Sequence, residues 1–271
     1  MGYLKYLKKF NESLNDIDSI CKKYGIINYI INNDDSIDVD GDVNLIDRGL
    51  SKLPLKFRSV SGDFDCSGNY LTSLEGAPKS VGGHFHCDAN ELKSLLGAPK
   101  SVNGHFFCNK NLLTSLWGSP ESVGGVFYCE DNQLTSLRGA PKTVGESFNC
   151  NYNQLKSLEG APKSISGDFY CNNNQLTSLL GAPRSVSGDF YCKNNQLTTL
   201  EGSPEFLGGN FYCDDNPVES IWNLFEDYSK VEIFNDYDVI RGNKVILDRL
   251  NDFLIHIGKP PVSKVDGYIN I

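Results

Sequence analysis

A solenoid of short parallel strands, closed by helical segments at both ends, is the fold that this sequence predicts. Three observations carry the prediction. Cys66, Cys87, Cys108, Cys129, Cys150, Cys171, Cys192 and Cys213 stand 21 residues apart without slippage, and self-similarity at a fixed period of this order marks a stacked-repeat architecture. The stretch leading to each cysteine, V-x-G-x-F-x-C, alternates apolar and polar positions with the period of a strand. Turn residues then recur in fixed places, with Asn at +3 from the cysteine, Gly at +10 and Pro at +12, where they supply the dihedrals of two bends.

The N-terminal residues 1–38 read as a helical cap with leading strands. Asn11 or Ser13 can cap a helix, Leu14, Ile17, Ile20 and Cys21 give its apolar spacing, and Gly25 ends it. IINYII and SIDVDGDV then read as strands leading into the array.

Residues 39–221 form the array. Each coil carries apolar residues at +5 and +8, Val, Ile or Leu at +15 and Phe at +19, and the full set persists to Cys192 except where Glu146 replaces a glycine. A degenerate first coil puts Leu45 in the cysteine slot and Arg48 in the asparagine slot. Since leucine can fill the slot, it asks for an apolar side chain and not for a thiol. One strand per coil is expected, on a parallel sheet lining the concave side, with short irregular segments returning along the convex side. A single coil buries too little apolar area to offset its ordering entropy, so stability must come from stacking. The asparagine column is expected to satisfy backbone groups within and between coils. Residues 222–271 read as a C-terminal helical cap and tail, with ESIWNLFEDYS and NKVILDRLNDFLIHIG as amphipathic patterns.

The F-x-C-x-x-N-x-L-x-S-L unit resembles the leucine-rich repeat L-x-L-x-x-N/C-x-L, with Phe169 and Cys171 in the strand positions, Asn174 as the turn asparagine and Leu176 as the next leucine. The LTSLEGAPK-type repeats and the YLKKFNES segment are similar to an uncharacterised group of tailed-bacteriophage leucine-rich-repeat proteins. That resemblance implies fold and a viral origin, with use inside the host cytoplasm, and it implies no chemistry. Unlike longer repeats of this type, the units here leave no room for a helix on the back of each coil.

Composition narrows the function. A net charge of -9 works against binding a phosphate backbone, so no nucleic-acid partner is expected. No run of apolar residues is long enough to span a membrane, and MGYLKYLKKF lacks the apolar core of a secretory signal, so a cytoplasmic protein is expected. Nine cysteines in such a setting argue for buried thiols over disulfides. A straight column cannot surround one ion tetrahedrally, and no C-x-x-C pair is present, so cysteine-bound metal is not expected. Phosphate-binding, nucleophile-elbow, zinc-protease and dinucleotide signatures are all missing. The expectation is a protein that is not an enzyme and needs no cofactor.

The outward strand positions are the candidate site. Just before each cysteine stand Asp65, His86, Phe107, Tyr128, Asn149, Tyr170, Tyr191 and Tyr212; two residues earlier stand Asp63, His84, His105, Val126, Ser147, Asp168, Asp189 and Asn210. A third column follows the cysteines: Ser67, Asp88, Asn109, Glu130, Asn151, Asn172, Lys193 and Asp214. Stacked aromatics can simply stabilise neighbouring strands. An aromatic stripe edged by polar residues is also what a recognition surface looks like. The expected partner-binding residues are Phe107, Tyr128, Tyr170, Tyr191, Tyr212, Asp168 and Asp189, contacting a protein, in a phage setting a host protein such as a component of its defence. A virion or assembly component bound through its end segments, or a carbohydrate-binding module, is the alternative. His84, His86 and His105 near Asp63, Asp65 and Asp88 could share a divalent ion, but the favoured reading is of exposed polar pairs and no metal. Lys79, Lys100, Lys142, Lys163 and Arg184, interrupted by Glu121 and Glu205, read as a solvated ridge.

Overall fold

The computed structural model describes residues 16–241 and 244–271. The expected cap at Asn11 or Ser13, and Leu14, lie outside them. The chain packs as two compact units, Met1–Gln133 with Gly139–Gly145, and Leu134–Arg138 with Glu146–Ile271. Each is a stretch of solenoid with the 21-residue register that the cysteines announce.

In the first unit the strands Val43–Asn44, Phe64–Asp65, Phe85–His86, Phe106–Phe107 and Phe127–Tyr128 pair in parallel, each phenylalanine opposite the next. In the second unit Phe148–Asn149, Phe169–Tyr170, Phe190–Tyr191 and Phe211–Tyr212 do the same. The solenoid of stacked coils with parallel strands expected from the sequence is therefore what both units build. Phenylalanine and cysteine face inward and are buried throughout. Within each unit the phenylalanine rings stack on those of adjoining coils at 5.2 to 5.6 Å.

The expectation of one strand per coil is corrected. Every coil has a second short strand on its return, at Ser80–Val81, Ser101–Val102, Ser122–Val123 and Thr143–Val144 in the first unit, and at Ser164–Ile165, Ser185–Val186 and Phe206–Leu207 in the second. These pair in parallel with their equivalents one coil away. Two residues between a proline and a glycine read as a turn, yet their backbone groups still need partners. The neighbouring coil supplies them, as where the Gly82 amide donates to Val60 O at 3.0 Å. The branched apolar residue of the pair points inward to close the core from the far side.

The asparagine column locks the coils. Asn90 is buried, its Oδ1 accepts the Leu71 amide at 2.9 Å, and its Nδ2 contacts three carbonyls, Cys66 O at 3.0 Å, Cys87 O at 3.2 Å and Asp88 O at 3.1 Å. Asn174 repeats the arrangement with Leu155, Cys150, Cys171 and Asn172. The residue before each asparagine takes a left-handed backbone, with φ between 51° and 56° at Ala89, Lys110, Asp131, Tyr152, Asn173, Asn194 and Asp215. Such a conformation is unfavourable for most side chains, and its recurrence in every coil shows what the asparagine clamp imposes. The glycine column is forced as well: Gly97 has φ of 99°, and a Cβ there would lie 2.7 Å from Leu74 O.

The ends are covered. A helix over 16–24 buries Ile17 and Cys21 and stops at Gly25, whose φ is 69°. Tyr29–Ile31 then pairs antiparallel with Ser36–Val39, which adds in parallel to Lys56–Val60. At the other end Phe211 meets Trp222 and Tyr228, each at 5.1 Å, and a cluster of Phe225, Phe234 and Phe253 extends the core. The expected helices are shorter than their patterns, at Glu219–Trp222 and Leu247–His256, with an additional one at Val231–Asp236. The Pro-Pro tail docks: Ile269–Asn270 pairs in parallel with Lys244–Val245, and Val265 and Tyr268 are buried.

Replacing Asn174 by alanine strips one acceptor and two donors from four buried backbone groups, so the variant should lose about 2 to 4 kcal/mol of stability in chemical denaturation, against no change for Lys163→Ala on the exposed ridge. An unaltered midpoint for Asn174→Ala would remove the clamp from the account.

Candidate functional site: the outward face of the cysteine strands

The strand alternation that buries phenylalanine and cysteine turns the residues between them outward. All eight positions of the column just before the cysteines are partly exposed. In the second unit Tyr170, Tyr191 and Tyr212 stack with ring centroids 4.7 Å apart and planes within 7° and 11° of parallel. In the first unit His86 stacks on Phe107 at 4.5 Å, and Phe107 meets Tyr128 edge to face at 5.4 Å. The expected aromatic anchors thus fall in two rows, one in each unit.

The aspartates expected at the site do internal work. Asp168 Oδ1 accepts the Asp189 amide at 2.8 Å and Asp189 Oδ1 accepts the Asn210 amide at 2.7 Å, while their second oxygens accept the Tyr170 and Tyr191 hydroxyls, each at 2.8 Å. Each carboxylate therefore tethers the next coil with one oxygen and holds a phenol with the other. The backbone bond from Asn210, followed by the Tyr191 hydroxyl, keeps the Asp189 carboxyl below its usual range, and Asp189 in turn pushes the Tyr191 phenol up to about 12.

The same column in the first unit carries a parallel ladder that the sequence reading did not identify. Asp42 accepts the Asp63 amide, Asp63 the His84 amide, His84 Nδ1 the His105 amide, and His105 Nδ1 the Val126 amide, at 2.7 to 3.0 Å. The visible signal was a hydrogen-bond acceptor recurring every 21 residues directly before the phenylalanine. This ladder sets the chemistry of the histidines. Their rings stack at 4.3 Å, and accepting an amide through Nδ1 leaves only Nε2 of each toward solvent. Among the described residues no group of three or more His, Cys, Asp or Glu side chains is placed to hold a metal ion.

The cysteines are more than filler. Cys66 Sγ donates to His86 O at 3.2 Å, the same carbonyl that accepts the Cys66 amide, and Cys87, Cys108, Cys150 and Cys192 repeat the contact. Burial raises the thiols well above their ordinary range, which makes them poor nucleophiles. Among the described residues no disulfide joins any of the nine cysteines. No helix among the described residues is long and apolar enough to cross a membrane.

The third column divides by unit. In the second, Asn151 Oδ1 accepts the Asn172 amide at 2.6 Å and Asn172 Oδ1 accepts the Lys193 amide at 2.7 Å. Lys193 then lies 4.9 Å above the Tyr212 ring centroid and pairs with Asp214 at 2.5 Å. In the first, Asn109 Oδ1 and Glu130 Oε2 are shut from solvent with no hydrogen-bond partner, while Asp88 Oδ1 lies 3.7 Å from His86 Nδ1.

No protein-family model matches the chain, and no curated protein matches it. Among solved structures it is similar to YopM from Yersinia enterocolitica WA-314, with a TM-score of 0.41 and 19% identity over 65% of this chain. The matched region spans about half of that protein, 49% of its chain.

Two measurements test the site. In a tyrosine absorbance titration Asp189→Asn should bring one phenol from about 12 back toward the ordinary value near 10; superimposable curves would show that the tether does not exist in solution. The tether also has an acid limb. The Asp189 carboxyl is depressed in the folded state, so its contribution is present above the unfolded value near 3.9 and is lost as pH falls through the lower folded value. For the thiols, a disulfide reagent should leave the native protein unmodified and titrate nine groups after denaturation. Rapid reaction of the native chain would contradict the burial.

Proposed function

We propose that the protein is a non-enzymatic binding scaffold whose outward cysteine-strand face recognises another protein, with Phe107, Tyr128, Tyr170, Tyr191 and Tyr212 as anchors, residues 39–221 as the binding array, and 1–38 and 222–271 as its covered ends. The observation that carries this reading is the state of the aromatic rows. Tyr170 and Tyr191 are pinned by Asp168 and Asp189 and stacked on one another, so they offer rigid, amphipathic area whose ordering cost is met before any partner arrives. In this reading Asp168 and Asp189 act as positioning residues for the phenols, and need not touch the partner themselves. The sequence resemblance to phage repeat proteins makes the proposed partner a host protein, met in the host cytoplasm.

The same stacking speaks against the carbohydrate alternative. Parallel rings at 4.7 Å turn their faces to one another, whereas a sugar stacks on an open ring face.

The double variant Tyr128→Ala, Tyr191→Ala should abolish retention of a partner in affinity capture from host lysate while its circular dichroism and melting stay close to the parent. Retention by the double variant, with loss on deleting residues 259–271, would move the binding site to the C-terminal end.

A further inference from the structure

The strand Tyr29–Ile31 ends its sheet. It pairs antiparallel with Ser36–Val39 on one side, and among the described residues no strand lies beyond it on the other. The Asp40 amide donates to Asn28 O and the Asn32 amide to Ser36 O, each at 2.8 Å, so Asn28 and Asn32 turn their backbone groups into the hairpin and alternation places Ile30 with them. The N–H and C=O of Tyr29 and Ile31 therefore point the other way, onto the free edge. The C-terminal end of the array is treated differently: Trp222 and Tyr228 lie against Phe211, and Glu219 accepts the Asp215 amide at 2.9 Å.

Sheet edges are ordinarily blunted by a charge, a proline or a bulge, and Tyr29–Ile31 carries none of them. Residues 25 to 33 hold no charged side chain in a chain of net charge -9, and Ile27 and Ile30 are 68% and 69% exposed. Tyr29 and Ile31 stand opposite the buried Val39 and Ile37, which leaves Ile30, opposite Asp38, on the solvent side. Such an edge is complementary to itself. About a two-fold axis, Tyr29 meets the second copy's Ile31 and exchanges both hydrogen bonds with it, the reverse pair does the same, and Ile30 faces Ile30 in the close, non-hydrogen-bonded position. Charge favours the same arrangement: Lys22 and Lys23 precede the strand and Asp34 and Asp35 follow it, so antiparallel order sets the basic end of one copy beside the acidic turn of the other.

We propose that the occupant of this edge is a second copy of the chain, paired antiparallel through Tyr29–Ile31 with Ile30 on the two-fold axis, so that the two seven-stranded sheets continue as one. The contact belongs to the sheet of return strands and uses none of Phe107, Tyr128, Tyr170, Tyr191 or Tyr212. It therefore goes beyond the proposed binding face, and it presents that face twice in one assembly.

The test uses the full chain. Sedimentation equilibrium of the parent should show a concentration-dependent dimer, and Ile30→Lys, which sets two cations face to face on the axis, should raise its dissociation constant about tenfold or more. Ile31→Pro removes one outward amide from each copy and should act in the same direction, while circular dichroism of both variants keeps the parent signal. Crosslinking reads the register. The native thiols are buried, so Ile30→Cys supplies the one accessible thiol, within disulfide range of its counterpart across the axis, and mild oxidation should capture the dimer. Ile27 is comparably exposed, but in this register its two copies stand roughly 20 Å apart, so Ile27→Cys should remain uncrosslinked. A parent that stays monomeric at every concentration, or a dimer that survives both Ile30→Lys and Ile31→Pro, would overturn the proposal. Equal crosslinking of Ile30→Cys and Ile27→Cys would overturn it as well, because no pairing about Ile30 would then exist.

Discussion

One buried amide per coil governs this structure. Each asparagine accepts a backbone N–H with its oxygen and offers its nitrogen to carbonyls of its own and the preceding coil, as Asn90 does with Leu71, Cys66, Cys87 and Asp88. Because the side chain is short and both ends are committed, it fixes the distance and register between coils. A one-residue slip would exchange the phenylalanine and tyrosine faces. The fixed period of 21 residues is thus the sequence record of a hydrogen-bonding constraint, and the left-handed residue before each asparagine is its local cost.

From that register the two faces follow. Inward, phenylalanine rings stack, and the thiols of Cys66, Cys87, Cys108, Cys150 and Cys192 each share with their own amide a carbonyl of the adjoining coil. Outward, the same translation lines up phenols, imidazoles and carboxylates into columns. A column of like side chains is either self-satisfying or exposed to repulsion, and the protein uses both outcomes. The Asp168–Asp189 pair is satisfied by amides and phenols, whereas Asn109 Oδ1 and Glu130 Oε2 are shut from solvent with no partner.

The sequence made the cysteine strands, the inward phenylalanines, the asparagine turn and the outward columns legible, because each is a strict repetition of residue type. It concealed the return strands of each unit, which are two residues long and follow closely on a proline, so no alternation can develop. It also concealed the ladder through Asp63, His84 and His105, since their amide-capping role depends on the next coil lying within 3 Å, a relation that exists only after stacking. For the same reason Asp168 and Asp189 looked like free recognition groups while the fold uses both oxygens of each. The helix at Leu247–His256 came out shorter than its pattern because the segment at Lys244–Val245 is taken up by pairing with Ile269–Asn270.

The most direct test of the asparagine clamp is amide hydrogen exchange at the leucines that follow it. Leu71, Leu92, Leu113, Leu155, Leu176 and Leu197 lie outside every strand, and each donates its amide to an asparagine Oδ1 from the next coil. The account predicts protection at these six amides as strong as at the strand phenylalanines, lost only with unfolding of the unit that holds them. Exchange at the rate of ordinary surface turns would mean that the asparagines do not join the coils, and the alignment of both faces would be left without a cause.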